Sequence, residues 1–283
     1  MTKTAIITDS TSYIPESIRK QLNIFMVPLT VTIGEETYKE EVELTKDEFY
    51  KKIGKEGALP KSSQPPIGEL VQLLEELAKD YDEAVMITLS SGISGTYQSA
   101  VSAANMVDTI KLHVFDSEIS CAPQGFYVLK AAEMAKNGAT AEAIMDELQA
   151  MKERGVYGYF VVEDLNHLHR GGRLNAAQLL VGNLLQIKPV LVFKDKKIVP
   201  FEKIRTKKKA IKRILDIVGS TVTPEDEFTI SIVQAERENE AREIAEGIQE
   251  KYPKAQLSID YFGPVIATHV GEGTIGICWY KHH

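Results

Sequence analysis

Cysteine is nearly absent: Cys121 and Cys278 are the only two in 283 residues, far apart and outside any CxxC spacing. That fits a reducing cytosol and gives no metal site. No apolar run approaches the roughly 18 residues of a membrane span. Met1-Thr-Lys-Thr, running straight into Ala5-Ile-Ile, has no signal-peptide architecture, so a cytoplasmic chain without stable membrane insertion is expected. A basic excess is also missing. The net charge is −7, which argues against nucleic acid as the main partner. No GxxxxGK[ST] occurs, and no GxGxxG runs from a strand into a helix, so the usual nucleotide sockets are lacking. An esterase elbow needs GxSxG, and Gly92-Ile-Ser-Gly-Thr96 misses its second glycine.

What is present is an ordinary globular composition, 43% hydrophobic and 26% charged, on a chain longer than one average domain. Strand-like and helix-like segments alternate through the first half. Lys3–Thr8 reads as a strand, with Pro15 at the first position of a helix. Asn23–Ile33 and Glu36–Val42 read as a pair of extended segments around Gly34-Glu35. Lys46–Ile53 reads as a helix behind a Thr45/Glu48 capping box. Ser62-Ser-Gln-Pro-Pro66 opens a helix to about Lys79. Ala84–Leu89 and Lys111–Phe115 are strands, and Thr96–Asn105 and Cys121–Asn137 helices; another helix ends near Arg154-Gly155. Repeated βα units predict a doubly wound, mostly parallel sheet.

The second half reads as α+β. Val156–Val162 is a strand, Asn175–Ile187 an apolar helix, and Pro189–Phe193 with Lys197–Pro200 a hairpin. Lys207–Val218 is a basic helix, Phe228–Gln234 a strand, Glu238–Lys251 a helix, and Gln256–Tyr261 and Gly276–Trp279 strands. A boundary near Gly155 gives domains 1–155 and 156–283.

The densest chemistry lies in Thr88–Ala100, TLSSGISGTYQSA. A strand ending in a Ser/Gly turn that opens a helix aims N–H groups, hydroxyls and the helix dipole at one spot, a socket for an anionic head group. The turn has no Lys, acid or His, so it is suited to hold rather than to react. Asp9–Ser12 and Lys61–Gln64 repeat the design, and Asp116-Ser117 does so more weakly; such loops lie at the carboxyl ends of parallel strands, where α/β sheets bind ligands. Ser and Thr are also the preferred N-caps, but Ser90–Gly95 has more hydroxyls than a cap needs, and two glycines that allow close approach. His269 follows what reads as a short apolar strand and enters a turn whose Gly271 and Gly273 suggest backbone crowding. Its possible jobs are a charge-assisted bond to a carboxylate or a proton shuttle. His169-Arg-Gly-Gly-Arg173 offers a cationic helix entrance, and Lys203–Arg213 holds seven basic residues and no acid.

These residues together resemble the DegV family of bacterial fatty-acid-binding proteins. The motifs, in family order, are Ile6-Ile-Thr-Asp-Ser10, Ser62-Ser-Gln-Pro-Pro66, Ser90–Ala100, Gly171-Gly-Arg173, Arg205-Thr206 and Gly263–Gly271. The resemblance implies a two-domain DegV-like α/β fold with one long-chain fatty acid held between domains. It implies Ser62 and Ser94 as carboxylate ligands, His269 near the head group, and Arg173 and Arg205 facing a fatty-acid kinase. On this reading the chain is a lipid-binding and lipid-transport carrier with no catalytic residue, metal or cofactor of its own, which presents the carboxylate for acyl-phosphate formation. This chain departs from the family in having Ser62 for the usual Thr, Pro66-Ile67 for Ser-Pro, and His169-Arg170 for lysines. Each acyl CH₂ taken out of water is worth about 0.8 kcal/mol. A tail of roughly 16 carbons then offers on the order of 10 kcal/mol before binding costs, so neutral hydroxyls suffice to orient the head. The competing expectation is a serine hydrolase of acyl esters using Ser94 and His269, with Asp116 completing a triad.

Overall fold

The computed structural model describes residues 3–56, 59–174 and 187–282. The chain divides into two units. The first is Met1–Glu153 with Gly263–Val265; the second is Arg154–Phe262 with Ile266–His283.

In the first unit, β1 (Thr4–Asp9), β2 (Ile24–Val27), β6 (Glu83–Thr88) and β7 (Lys111–Asp116) form an all-parallel sheet in the order β2-β1-β6-β7. Alternation decides what each strand packs against. Ala5 and Ile7 of β1 and Ala84 and Met86 of β6 join Leu70, Leu74 and Leu77 of α3 (Ile67–Leu77) and Ala100 and Ala103 of α4 (Thr96–Ala104) in one core. Ile6, Val85 and Ile87, on the opposite face, are equally buried, and α5 (Ala122–Lys136) packs on β1 and β6. Helices that cover both faces make the sheet doubly wound, as predicted.

The extended segment Asn23–Ile33 is not continuous. It breaks at Pro28-Leu29, leaving β2 in the parallel sheet. β3 (Thr30–Ile33) and β4 (Glu36–Lys39) form a hairpin, and β5 (Lys61–Ser63) completes a separate antiparallel sheet, β4-β3-β5. Pro15 caps α1 (Glu16–Leu22) rather than opening it. The capping box of α2 (Lys46–Glu56) forms: Thr45 N donates to Glu48 Oε2 at 2.9 Å, and Glu48 N donates to Thr45 Oγ1 at 3.4 Å. α6 (Ala141–Arg154) closes this stretch.

The second unit is built on six strands in the order β10-β9-β8-β13-β11-β12. These are β8 (Val156–Val161), β9 (Val190–Lys194), β10 (Lys197–Glu202), β11 (Phe228–Gln234), β12 (Gln256–Tyr261) and β13 (Ile275–Lys281). All neighbours are antiparallel except β11 and β12. Those two are linked through α9 (Glu238–Lys251), as a parallel pair requires a crossover. The β9–β10 turn puts Asp195 and Lys196 at φ 50 and 68, the left-handed pair that matches hairpin twist. α8 (Lys207–Thr221) and α9 bury Ile214, Val218, Ala241 and Ile248 against Ile230, Ile277 and Trp279. The apolar helix predicted for Asn175–Ile187 lies, but for Ile187, outside the described residues. No helix among the described residues is long and apolar enough to cross a membrane.

Candidate ligand site

The hydroxyl turn sits at the carboxyl end of β6, and buried acids hold it in place. Leu89 N donates to Asp9 Oδ2 at 2.8 Å. Ser91 donates through N and Oγ to Asp116, at 3.1 and 2.5 Å. Ser90 N donates to Ile119 O at 2.7 Å, and Ser94 N donates to Ser90 O at 3.2 Å. Asp9 is wholly inside, and burial pushes its carboxyl upward against the pull of its Thr11 and Leu89 donors. Ser94 Oγ accepts from Thr96 N at 3.3 Å and is hydrogen-bonded to Thr96 Oγ1 at 2.9 Å, a pair in which either hydroxyl can donate. With Thr96 as the donor, Ser94 keeps its own proton for an outside acceptor, which is what an anion ligand needs. Asp116 also accepts from Glu118 N at 3.0 Å, so this carboxylate braces the turn at Ser91.

Ser62 is half-buried in β5, opposite Val31 of β3. This corrects the expectation of a loop at the end of a parallel strand: the antiparallel sheet, not the doubly wound one, presents it. The Ser62 and Ser94 segments are nevertheless tied together. Gln64 Nε2 donates to Ser99 Oγ on α4 at 2.5 Å. A Cβ at Gly95 would lie 1.9 Å from Gln64 Oε1. Gly95 has φ −79 and ψ 2, a backbone any residue adopts. The glycine therefore makes room for Gln64 rather than for an unusual turn.

His269 is in a helix, α10 (Pro264–Val270), and not after a strand. Gly271-Glu-Gly-Thr-Ile-Gly276 has GxGxxG spacing but runs from helix to strand, the reverse of a dinucleotide loop. The crowding expected of its glycines is real. A Cβ at Gly271, φ +75, would lie 2.8 Å from His167 Cδ2, and one at Gly273, φ +85, would lie 2.4 Å from Glu163 Cγ. The pattern is reciprocal, because a Cβ at Gly171 would lie 2.3 Å from His269 Nδ1. Burial, then the charges of Arg173 and His167, push His269 down to about 4, so its imidazole is neutral at physiological pH.

Arg173 closes the turn after α7 (Asn166–Arg170), with its N donating to Leu168 O at 2.9 Å and its guanidinium to Gly171 O. Arg205 is exposed, and with Lys203, Lys209 and Lys212 it lines an open concavity of about 350 Å³. The basic run is partly neutralised. Lys207 pairs with Glu240 at 2.7 Å, Arg213 with Glu202 at 2.7 Å, and Lys212 with Asp216 at 3.6 Å.

Nothing in its local sequence marks Glu40 as a buried residue. It lies in Lys39-Glu-Glu-Val-Glu43, and within the extended segment read from Glu36 to Val42, yet it is fully buried. Its carboxyl accepts from Ser10 Oγ at 2.5 Å, Tyr13 OH at 3.0 Å and Val265 N at 2.7 Å. Burial outweighs these three donors and raises it to about 8.

A parallel sheet with a braced hydroxyl turn at its carboxyl end, and a second, mainly antiparallel unit with a buried neutral imidazole, define a two-unit α/β protein. Comparison with known proteins narrows the class. A family model described as "Uncharacterised protein, DegV family" matches residues 3–282, and the chain belongs to the DegV family. It is 54% identical over 276 residues to Protein DegV of Bacillus subtilis (strain 168), covering 97% of this chain and 98% of that one. It resembles the crystal structure of DegV, a fatty acid binding protein from Bacillus subtilis, with a TM-score of 0.95 at 52% identity, covering 99% and 100% of the two chains. A fatty acid binding DegV family protein from Streptococcus agalactiae gives a TM-score of 0.91 at 36% identity, with both chains fully covered.

Proposed function

We propose that this chain binds one long-chain fatty acid. Ser62 and Ser94 of the first unit are its carboxylate ligands, and His269 of the second is a head-group residue. The observation that carries the reading is the Ser94 turn: a buried scaffold fixes a hydroxyl that can donate outward, in a chain sharing 52% identity and its fold with a fatty acid binding protein. A bound carboxylate takes neutral donors here, and tail burial supplies most of the affinity. Protein purified gently and sprayed under native conditions is expected to carry a non-covalent mass near that of a C14–C18 acid. Ser94→Ala and Ser62→Ala should each weaken palmitate binding by about tenfold, the loss of one charge-assisted hydrogen bond. Protein that retains no lipid, and whose melting temperature palmitate leaves unchanged, contradicts the reading, because a site-specific ligand must stabilise by mass action.

The finer part of the proposal is that the chain presents the carboxylate to a fatty-acid kinase, with Arg173 and Arg205 at the encounter surface. The exposed, concave setting of Arg205 among lysines supports it, since such a face suits an acidic partner. Arg205→Glu is the cleaner probe, because Arg173 also holds the Gly171 turn. Charge reversal at Arg205 should abolish kinase-dependent acyl-phosphate formation while lipid stays bound. Lipid loss in that variant would assign Arg205 to the ligand site instead.

A further inference from the structure

We infer that Gln64 is a positioning residue that sets the spacing between the Ser62 and Ser94 hydroxyls. The inference rests on the fatty-acid reading and deepens it. Ser62 and Ser94 belong to different sheets of the first unit: one is on β5 of the antiparallel sheet, the other follows β6 of the parallel one. A carboxylate held by both hydroxyls needs their separation fixed to a fraction of an ångström. Backbone pairing fixes Ser62 against Val31 and Ser94 against Ser90, but neither bond connects the two.

Gln64 makes the connection. It is two residues beyond Ser62, and its amide donates to Ser99 Oγ at 2.5 Å, one turn into the helix that Ser94 precedes. Its carbonyl oxygen fills the space where any side chain at position 95 would have to begin. Gly95 follows Ser94 directly. Two independent features, the Ser99 bond and the missing Cβ, thus fit one amide between the two ligand segments. The Pro65-Pro66 pair after it stiffens the anchor, since each ring fixes φ.

The test compares two ligands with one tail. Wild-type protein stripped of lipid is titrated with palmitate and with hexadecan-1-ol, and the affinity ratio reports head-group recognition alone. Gln64→Met keeps side-chain length and loses the amide. It should lower the palmitate-to-alcohol ratio by about tenfold and leave the ligand-free melting temperature unchanged. Ser99→Ala and Gly95→Ala should do the same from the other side. The double variant Gln64→Met/Ser99→Ala should lose no more than either alone, as expected for two ends of one bond. An unchanged ratio overturns the inference. So does an equal loss for both ligands, a fully additive double variant, or a ligand-free melting temperature that falls in step with the ratio. Wild type that binds neither ligand overturns the fatty-acid reading itself.

Discussion

Glu40→Ala is expected to destabilise the first unit by about 3 kcal/mol, because it strands Ser10 Oγ, Tyr13 OH and Val265 N inside the protein. Equilibrium denaturation at pH 6 measures it. Glu40→Gln keeps an acceptor for these donors and should cost little at that pH. The two substitutions part company with the wild type as pH rises. Folding holds the Glu40 proton up to about pH 8, whereas the ordinary value is 4.5. Between these values Glu40 binds fewer protons in the unfolded chain than in the folded one, so its contribution to wild-type stability falls as pH rises through this window, and the loss is complete above about 8. A complete shift is worth a few kcal/mol. Buried Asp9, raised for the same reason, adds a loss of the same sign. Glu40→Gln removes the Glu40 share, so at pH 9 the glutamine variant should be more stable than wild type. A glutamine variant no more stable than wild type at pH 9 would refute the assignment.

Most of the fold could be read because local signals and tertiary structure agree. Ala84–Leu89 is apolar and lies between turn residues, and Thr45 and Glu48 satisfy their own backbone; both signals are local in sequence. The failures occur where distant parts decide. Thr-Val-Thr-Ile33 fits either sheet, and only the Pro28 break and the return of Lys61–Ser63 assign it to the smaller one. Pro264–Val270 is short, apolar and rich in β-branched residues, so its composition favours strand; its helix is capped by Glu40, remote in sequence, whose carboxyl group takes the Val265 N–H. Site residues divide the same way. Ser94 stood out because hydroxyls clustered beside glycines. Glu40 and Gln64 did not, because an acid among acids and an amide before two prolines look like solvated surface. Gly95 was expected to allow a close approach, and the group that approaches it is Gln64.

In the ligand-free protein, His269 should titrate near 4, and Gly171→Ala should raise that value. Gly171 has φ −69 and ψ −11, so alanine fits the backbone there. The obstacle is the ring: the new Cβ would lie 2.3 Å from His269 Nδ1 and 3.2 Å from His167 O. A buried imidazole cannot absorb that without moving. Overpacking of this kind costs about 2 kcal/mol, and the displaced ring should titrate closer to its ordinary 6.5. The wild-type sign follows from the depressed value. As pH falls from 6.5 towards 4, the unfolded chain takes up a proton that the folded second unit refuses, so that unit loses stability on the acid side. Histidine ¹³Cε1 resonances, assigned with His269→Gln among the six histidines, follow the titration directly. If a fatty-acid carboxylate comes to rest by this ring, saturation with palmitate should raise its titration point, because a nearby anion favours the imidazolium against Arg173 and His167. A His269 resonance that palmitate leaves in place would remove it from the head-group site. One that titrates near 6.5 in the free protein would show that burial and Arg173 do not govern it.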